Sequence, residues 1–157
     1  MLKKNNEHFE KLMKTAEAYE AKKTAHEEKK QEIIDTCGWD SEELKAWYEE
    51  KSEMTYPIPQ GACKAYRAWK QTAEKEEDEV EMSDFLWDRE VSDFLDALRQ
   101  AGIESFIYTN QSTAVMENIH AFEAEGCRLE GLTTITRTER RFGDDREEQI
   151  PGIRFSL

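Results

Sequence analysis

Trp87-Asp-Arg-Glu-Val-Ser-Asp-Phe-Leu-Asp-Ala-Leu-Arg-Gln-Ala-Gly102-Ile-Glu-Ser-Phe-Ile-Tyr-Thr109 is the stretch on which the fold turns. Trp87, Val91, Phe94, Leu95 and Leu98 recur at i, i+4, i+7, i+8 and i+11, the apolar stripe of a helix. Gly102 follows, and a glycine there stops a helix because it enters the left-handed region without a Cβ clash. Glu104 to Thr109 then reads as a strand, apolar on both faces and so covered on both sides or nearly so. Beyond it, Val115, Met116, Ile119 and Phe122 form the face of a second helix, with Ser112 as its N-cap and Gly126 as its stop. Leu129, Leu132 and Ile135 among threonines suit a half-exposed strand. Gly143-Asp-Asp145 is a hairpin turn, and Ile150 to Leu157 returns as a third strand.

Working outward, the spacing predicts an α+β domain over residues 83–157. Its elements are helix 86–100, strand 104–109, helix 112–125, strand 128–138 and strand 150–156. The class is α+β: a helical N-terminal half, then a small three-stranded sheet with two packed helices. Residues 1–82 read as the helical region, with a long helix over 5–36 and short ones over about 41–51 and 61–76. Phe9, Leu12, Met13, Ala16 and Tyr19 make a stripe that fails at Lys23, Glu27 and Lys30, so a solvated helix docking at its ends is expected over a coiled coil. Cys37-Gly38 ends it, and Asp40-Ser-Glu-Glu43 has the form of a capping box. Tyr56-Pro-Ile-Pro59 breaks the next helix, and Gly61 reads as a hinge.

Of 157 residues, 38% are hydrophobic and 36% charged, which leaves a small core for the length. The net charge of −13 opposes direct binding of nucleic-acid phosphates or anionic lipid. Cys37, Cys63 and Cys127 are odd in number and lack C-x-x-C spacing, as reduced thiols of a cytoplasmic protein do. No apolar run has the length of a membrane span. Met1-Leu-Lys-Lys opens like a signal peptide, but Glu7, His8 and Glu10 stand where an apolar region belongs.

The sharpest charge feature is an acidic run, Glu74, Glu76, Glu77, Asp78, Glu79, Glu81, Asp84, Asp88, Asp93 and Asp96, expected to be a partner-binding ridge. Its first half reads as a frayed linker, because like charges repel. Its second half lies on the striped helix, where Asp93 and Asp96 point away from the stripe. Arg137, Arg140, Arg141 and Arg146, with Arg154, form a secondary basic cluster that either recognises anions or pairs across an exposed hairpin with Glu139, Glu147 and Glu148. Trp39, Trp47, Trp69 and Trp87 read as core plugs between short helices, with an exposed recognition platform as the other reading. His8, His26 and His120 stand apart from one another and from the cysteines. No nucleophile, phosphate-loop or metal motif occurs, so no catalytic residue, metal ligand or cofactor is expected.

Trp87, Ala101-Gly-Ile103, Phe106-Ile-Tyr-Thr109, Ser112-Thr113, Met116-Glu117 and Gly126 together resemble a family of short, uncharacterised accessory proteins. These are carried by plasmids, phages and integrative elements of Gram-positive bacteria. The resemblance covers the C-terminal half and implies a setting, not an activity. Joined to the acidity, it leads to the expectation of a non-enzymatic adaptor or inhibitor that binds a protein with a basic surface. One form is a nucleic-acid mimic that blocks a host defence nuclease, of anti-CRISPR or anti-restriction type. A structural or self-associating accessory protein is the alternative, and a small enzyme comes third.

Overall fold

Left-handed residues, most of them glycine, and the Pro57-Ile-Pro59 segment punctuate this chain, and its elements follow from where helices are allowed to stop. The computed structural model describes Leu2, residues 5–141 and residues 143–157, with the backbone alone at 139–141 and 144. The chain divides into two units, Glu10–Ile58 and Met1–Phe9 with Pro59–Leu157. Helix α1 (Glu7–Cys37) runs through the boundary between them.

In the Glu10–Ile58 unit, α1 ends where Gly38 takes a φ of +88°. Helix α2 (Glu42–Glu53) is capped by Ser41, whose hydroxyl accepts from the Leu44 N–H, so the cap falls one residue after the expected Asp40. Trp47 of α2 is buried and its indole N–H donates to the His26 carbonyl at 2.7 Å. Lys30 and Lys51 lie over its ring at 5.0 and 4.8 Å, and Lys51 pairs with Glu27. Here the failed stripe finds its reason. At Glu27 and Lys30 the helix packs on Trp47 through a cation over the ring and an ion pair, where a plain helix pair would use leucine.

In the second unit, α3 (Gln60–Glu74) and α4 (Asp88–Gln100) cross so closely that a Cβ on Gly61 would lie 2.1 Å from the Glu90 carbonyl oxygen. Gly61 is therefore a contact point inside the first turn of α3, not a hinge. A strand that the acidic run concealed, β1 (Val80–Met82), follows α3. Then come α4, β2 (Ser105–Tyr108), α5 (Val115–Ala124), β3 (Arg128–Arg141) and β4 (Asp144–Ser156). The sheet has four strands, not the expected three, in the order β1-β2-β4-β3. β1 and β2 are parallel, joined by α4, and β4 runs antiparallel to both β2 and β3. The supposed linker supplies the fourth strand because Val80 and Met82 face the core while Glu81 faces the other way.

Register fixes the two faces. Val80, Phe106 and Phe155 align across the sheet, as do Met82, Tyr108 and Ile153. Phe94 of α4 and Phe122 of α5 close on Phe106 and Phe155 with ring centroids 5.2–6.4 Å apart, mostly edge-to-face, while Phe106 and Phe155 stack on each other. Three helices end alike. After α4 and α5 the N–H groups of Ile103 and Cys127 reach back to the Leu98 and Phe122 carbonyls, with Gly102 and Gly126 left-handed. After α3 the Glu77 N–H reaches Thr72, but the left-handed residue is Glu76, with φ +60°. The free edge of β1 is covered by α3, because the Thr72 hydroxyl accepts the Glu81 N–H at 3.0 Å. The outer edge of β3 has no strand beside it among the described residues.

Candidate functional site

The opposite face of the sheet is polar, and it absorbs much of the charge that the sequence displays. Glu81, Ile107 and Arg154 align there, with Thr109 and Gly152 one step along. Glu79 accepts from Arg154 Nη2 at 2.6 Å and from the Ser105 hydroxyl at 2.8 Å. Glu81, its side chain 6% exposed, accepts from the Thr109 hydroxyl and from Arg137, and lies 3.6 Å from Lys75. Arg137 is six residues beyond Gly131, which is aligned with Arg154, so a flat ribbon would carry it about 20 Å past Glu81. The β3–β4 ribbon must therefore coil back over this face. Gly131 at a register shift and Gly152 allow the bend, and a Cβ on Gly152 would come within 2.7 Å of Ile107 Cγ2.

The acidic run is thus divided. Glu79 and Glu81 point inward and neutralise the arginines of the ribbon. Glu77 is half-buried, and burial raises its carboxyl pKa. Asp93 is half-buried, and its Cβ would meet one placed on Gly61. Glu74, Glu76, Asp78, Asp84, Asp88 and Asp96 are exposed, with Asp96 paired to Arg99 at 3.4 Å. They lie on several elements at both ends of β1. The basic cluster divides too: Arg137 and Arg154 face the two glutamates, Arg146 is exposed, and the side chains of Arg140 and Arg141 lie outside the described residues.

One member of the run, Asp88, lies on a cleft of about 1010 Å³ lined by Phe85–Arg89 and by Ser112–Ala114, Glu117 and Asn118. It opens at the carboxyl ends of the parallel strands β1 and β2, between the first turns of α4 and α5, the usual place for a binding crevice in such a crossover. Its walls are held by buried polar groups. Asn118, 1% exposed, accepts from the Leu86 N–H at 3.0 Å and the Tyr108 hydroxyl at 2.5 Å, and donates to the Leu86 carbonyl at 2.6 Å. Burial raises the Tyr108 phenol pKa, which keeps it a donor. Lys64 donates to Glu90 at 2.6 Å and to the Phe85 carbonyl at 2.9 Å, and Glu90 accepts from the Trp87 N–H at 3.0 Å. Burial pushes the Glu90 carboxyl up, but Lys64 and the Trp87 N–H outweigh it, and the net pKa is lowered.

The backbone from Phe85 to Trp87 is therefore fixed at each residue, and Trp87 is held 57% exposed beside Phe85, rings 5.1 Å apart. Among the tryptophans, Trp47 and Trp69 are core plugs, whereas Trp39 and Trp87 face solvent. Asn118 was missed in the sequence, although a polar residue on the face of Val115, Ile119 and Phe122 is its signal. Met116, expected on that face, is exposed, and Ser112 lies two residues before the α5 cap, its hydroxyl accepting from the Ala114 N–H. His120 is exposed and Cys127 buried, its thiol pKa raised by burial. Among the described residues no group of three or more His, Cys, Asp or Glu gathers to hold a metal, and no helix is long and apolar enough to cross a membrane.

No curated protein and no solved structure matches the chain. A family model does match, over residues 64–157, which takes in most of α3 and the entire sheet, cleft and ribbon. By that match the chain belongs to the family described as domain of unknown function DUF7698.

Proposed function

We propose that this protein works by binding another protein that presents a basic surface, and not by catalysis. The observation that supports this is the division of the acidic run. Glu79 and Glu81 are used internally, while Asp88 and Glu117 line the cleft and Asp84 lies on the segment just before it, all three exposed and in none of the described ion pairs. Unpaired carboxylates at a cleft mouth favour cationic partners and steer them at long range, in a salt-dependent way. The inhibitor of a nucleic-acid enzyme, in the setting of a mobile element, is the specific form of this reading. A second reading, a small-molecule pocket, draws support from the position of the cleft at the ends of two parallel strands.

Affinity capture at low and high salt tests the proposal. Wild type is compared with a variant reversed at Asp84, Asp88 and Glu117 and with a control reversed at Glu74 and Asp96. A partner held by wild type and control, lost from the cleft variant and released by salt, is the expected result. Displacement of that partner by duplex DNA would favour the mimic. Capture indifferent to salt and to both sets of reversals would remove the proposal.

A further inference from the structure

We infer that the cleft between Phe85–Arg89 and Ser112–Asn118 is a recognition pocket for a lysine or arginine side chain on an extended basic segment of a partner. This assignment rests on the protein-binding reading and names its contact. A large aromatic ring at the surface is ordinarily free to turn. The backbone that carries Trp87 is not free, because Glu90 accepts its N–H and Asn118 holds both polar groups of Leu86. Lys64 fixes the carbonyl of Phe85. These buried polar groups fix the backbone under one exposed ring, the Phe85 ring packs edge-on against it at 5.1 Å, and an aromatic anchor so supported loses less conformational entropy when it is covered.

The lining selects the occupant. The Trp87 face attracts a cation by its quadrupole. Asp88 and Glu117 stand on the two walls, and Asp84 is exposed on the loop that enters them. Arg89 is the single cation of the described lining. An anionic segment would meet this excess of carboxylate on a chain of net charge −13. A cationic one finds a ring and carboxylates together, the pairing that a guanidinium or ammonium group uses best.

The test is fluorescence anisotropy with a labelled peptide of alternating arginine and serine, and with the same peptide carrying citrulline in place of arginine. The arginine peptide is expected to bind wild type in a salt-dependent manner and the neutral peptide to bind at least about tenfold more weakly. Trp87→Ala, an exposed position, should lose about tenfold while keeping its thermal midpoint, and Trp87→Phe should fall between. Asp88→Asn with Glu117→Gln should flatten the salt dependence. No binding by wild type, equal binding of the citrulline peptide, or a folded Trp87→Ala protein that binds unchanged would each overturn the assignment. If capture of a partner remains charge-dependent while Trp87 is indifferent, the cleft assignment falls and the protein-binding reading stands. If the peptide needs Trp87 but capture ignores charge, the reverse holds.

Discussion

Lys64–Glu90 and Lys51–Glu27 are both lysine–glutamate pairs at hydrogen-bond distance, 2.6 and 2.5 Å, yet they answer to different physics. The first is buried between α3 and α4 and bound on all sides; the second lies on the solvent side of α1 and α2. A buried pair is held by what would be lost if one member were removed, because the other is left charged and dry. An exposed pair is replaced by water at little cost. Lys51 lowers the Glu27 carboxyl pKa, but screening keeps that shift from becoming stability. The geometry is the same; burial decides whether it matters.

Lys64→Met should show the contrast at its largest, a loss of about 3–5 kcal/mol in urea denaturation as Glu90 becomes an unpaired buried carboxylate. The loss should shrink in acid. Glu90 is lowered in the folded wild type, so its contribution is complete above the ordinary carboxyl value and fades as pH falls through the lowered one. In the variant the carboxyl is raised by burial, and protonation relieves it, so the two stability curves converge as pH drops. A gap that widens in acid would sink this account.

Asn118→Ala leaves the Leu86 N–H and carbonyl unpaired and should cost about 2–3 kcal/mol by the same assay. Gly152→Ala should cost about 1–3 kcal/mol, since the ribbon must lift from Ile107, and hydrogen exchange should rise in β3 and β4. Glu27→Gln should leave the midpoint where it is, and a clear drop there would erase the contrast between the two pairs.

Helices α4 and α5 were legible because stripes and terminal glycines are local signals. β1 was hidden because its three residues sit in a run whose charge dominates any window. The alternation of Glu79 and Glu81 with Val80 and Met82 is the period-two signal that marks it. The hairpin lengths were underestimated for a related reason. The expected strand began only at residue 150 because the charged residues before it carry no apolar pattern, yet a two-stranded ribbon needs no apolar face when its backbone groups pair with each other. The ridge and the basic patch read as two surfaces, but sheet pairing brings residue 154 beside residue 79, and the coiling of the β3–β4 ribbon brings residue 137 to residue 81. That long-range pairing has no local signature. Trp87 was visible as an aromatic, but its support came from Lys64, Glu90 and Asn118, three residues on three helices.

The two borders of the sheet are finished differently. α3 seals β1 with the Thr72 hydroxyl, whereas β3 has no strand beside its outer edge among the described residues, and Leu132 is 89% exposed. Repulsion between chains of net charge −13 opposes the zipping of neighbouring molecules onto such a border. Ionic strength, which is gentle to most folded proteins, is therefore the storage variable to watch. In concentrated salt the molecule should stay folded and yet turn colloidally unstable, its solutions clouding while the thermal midpoint holds.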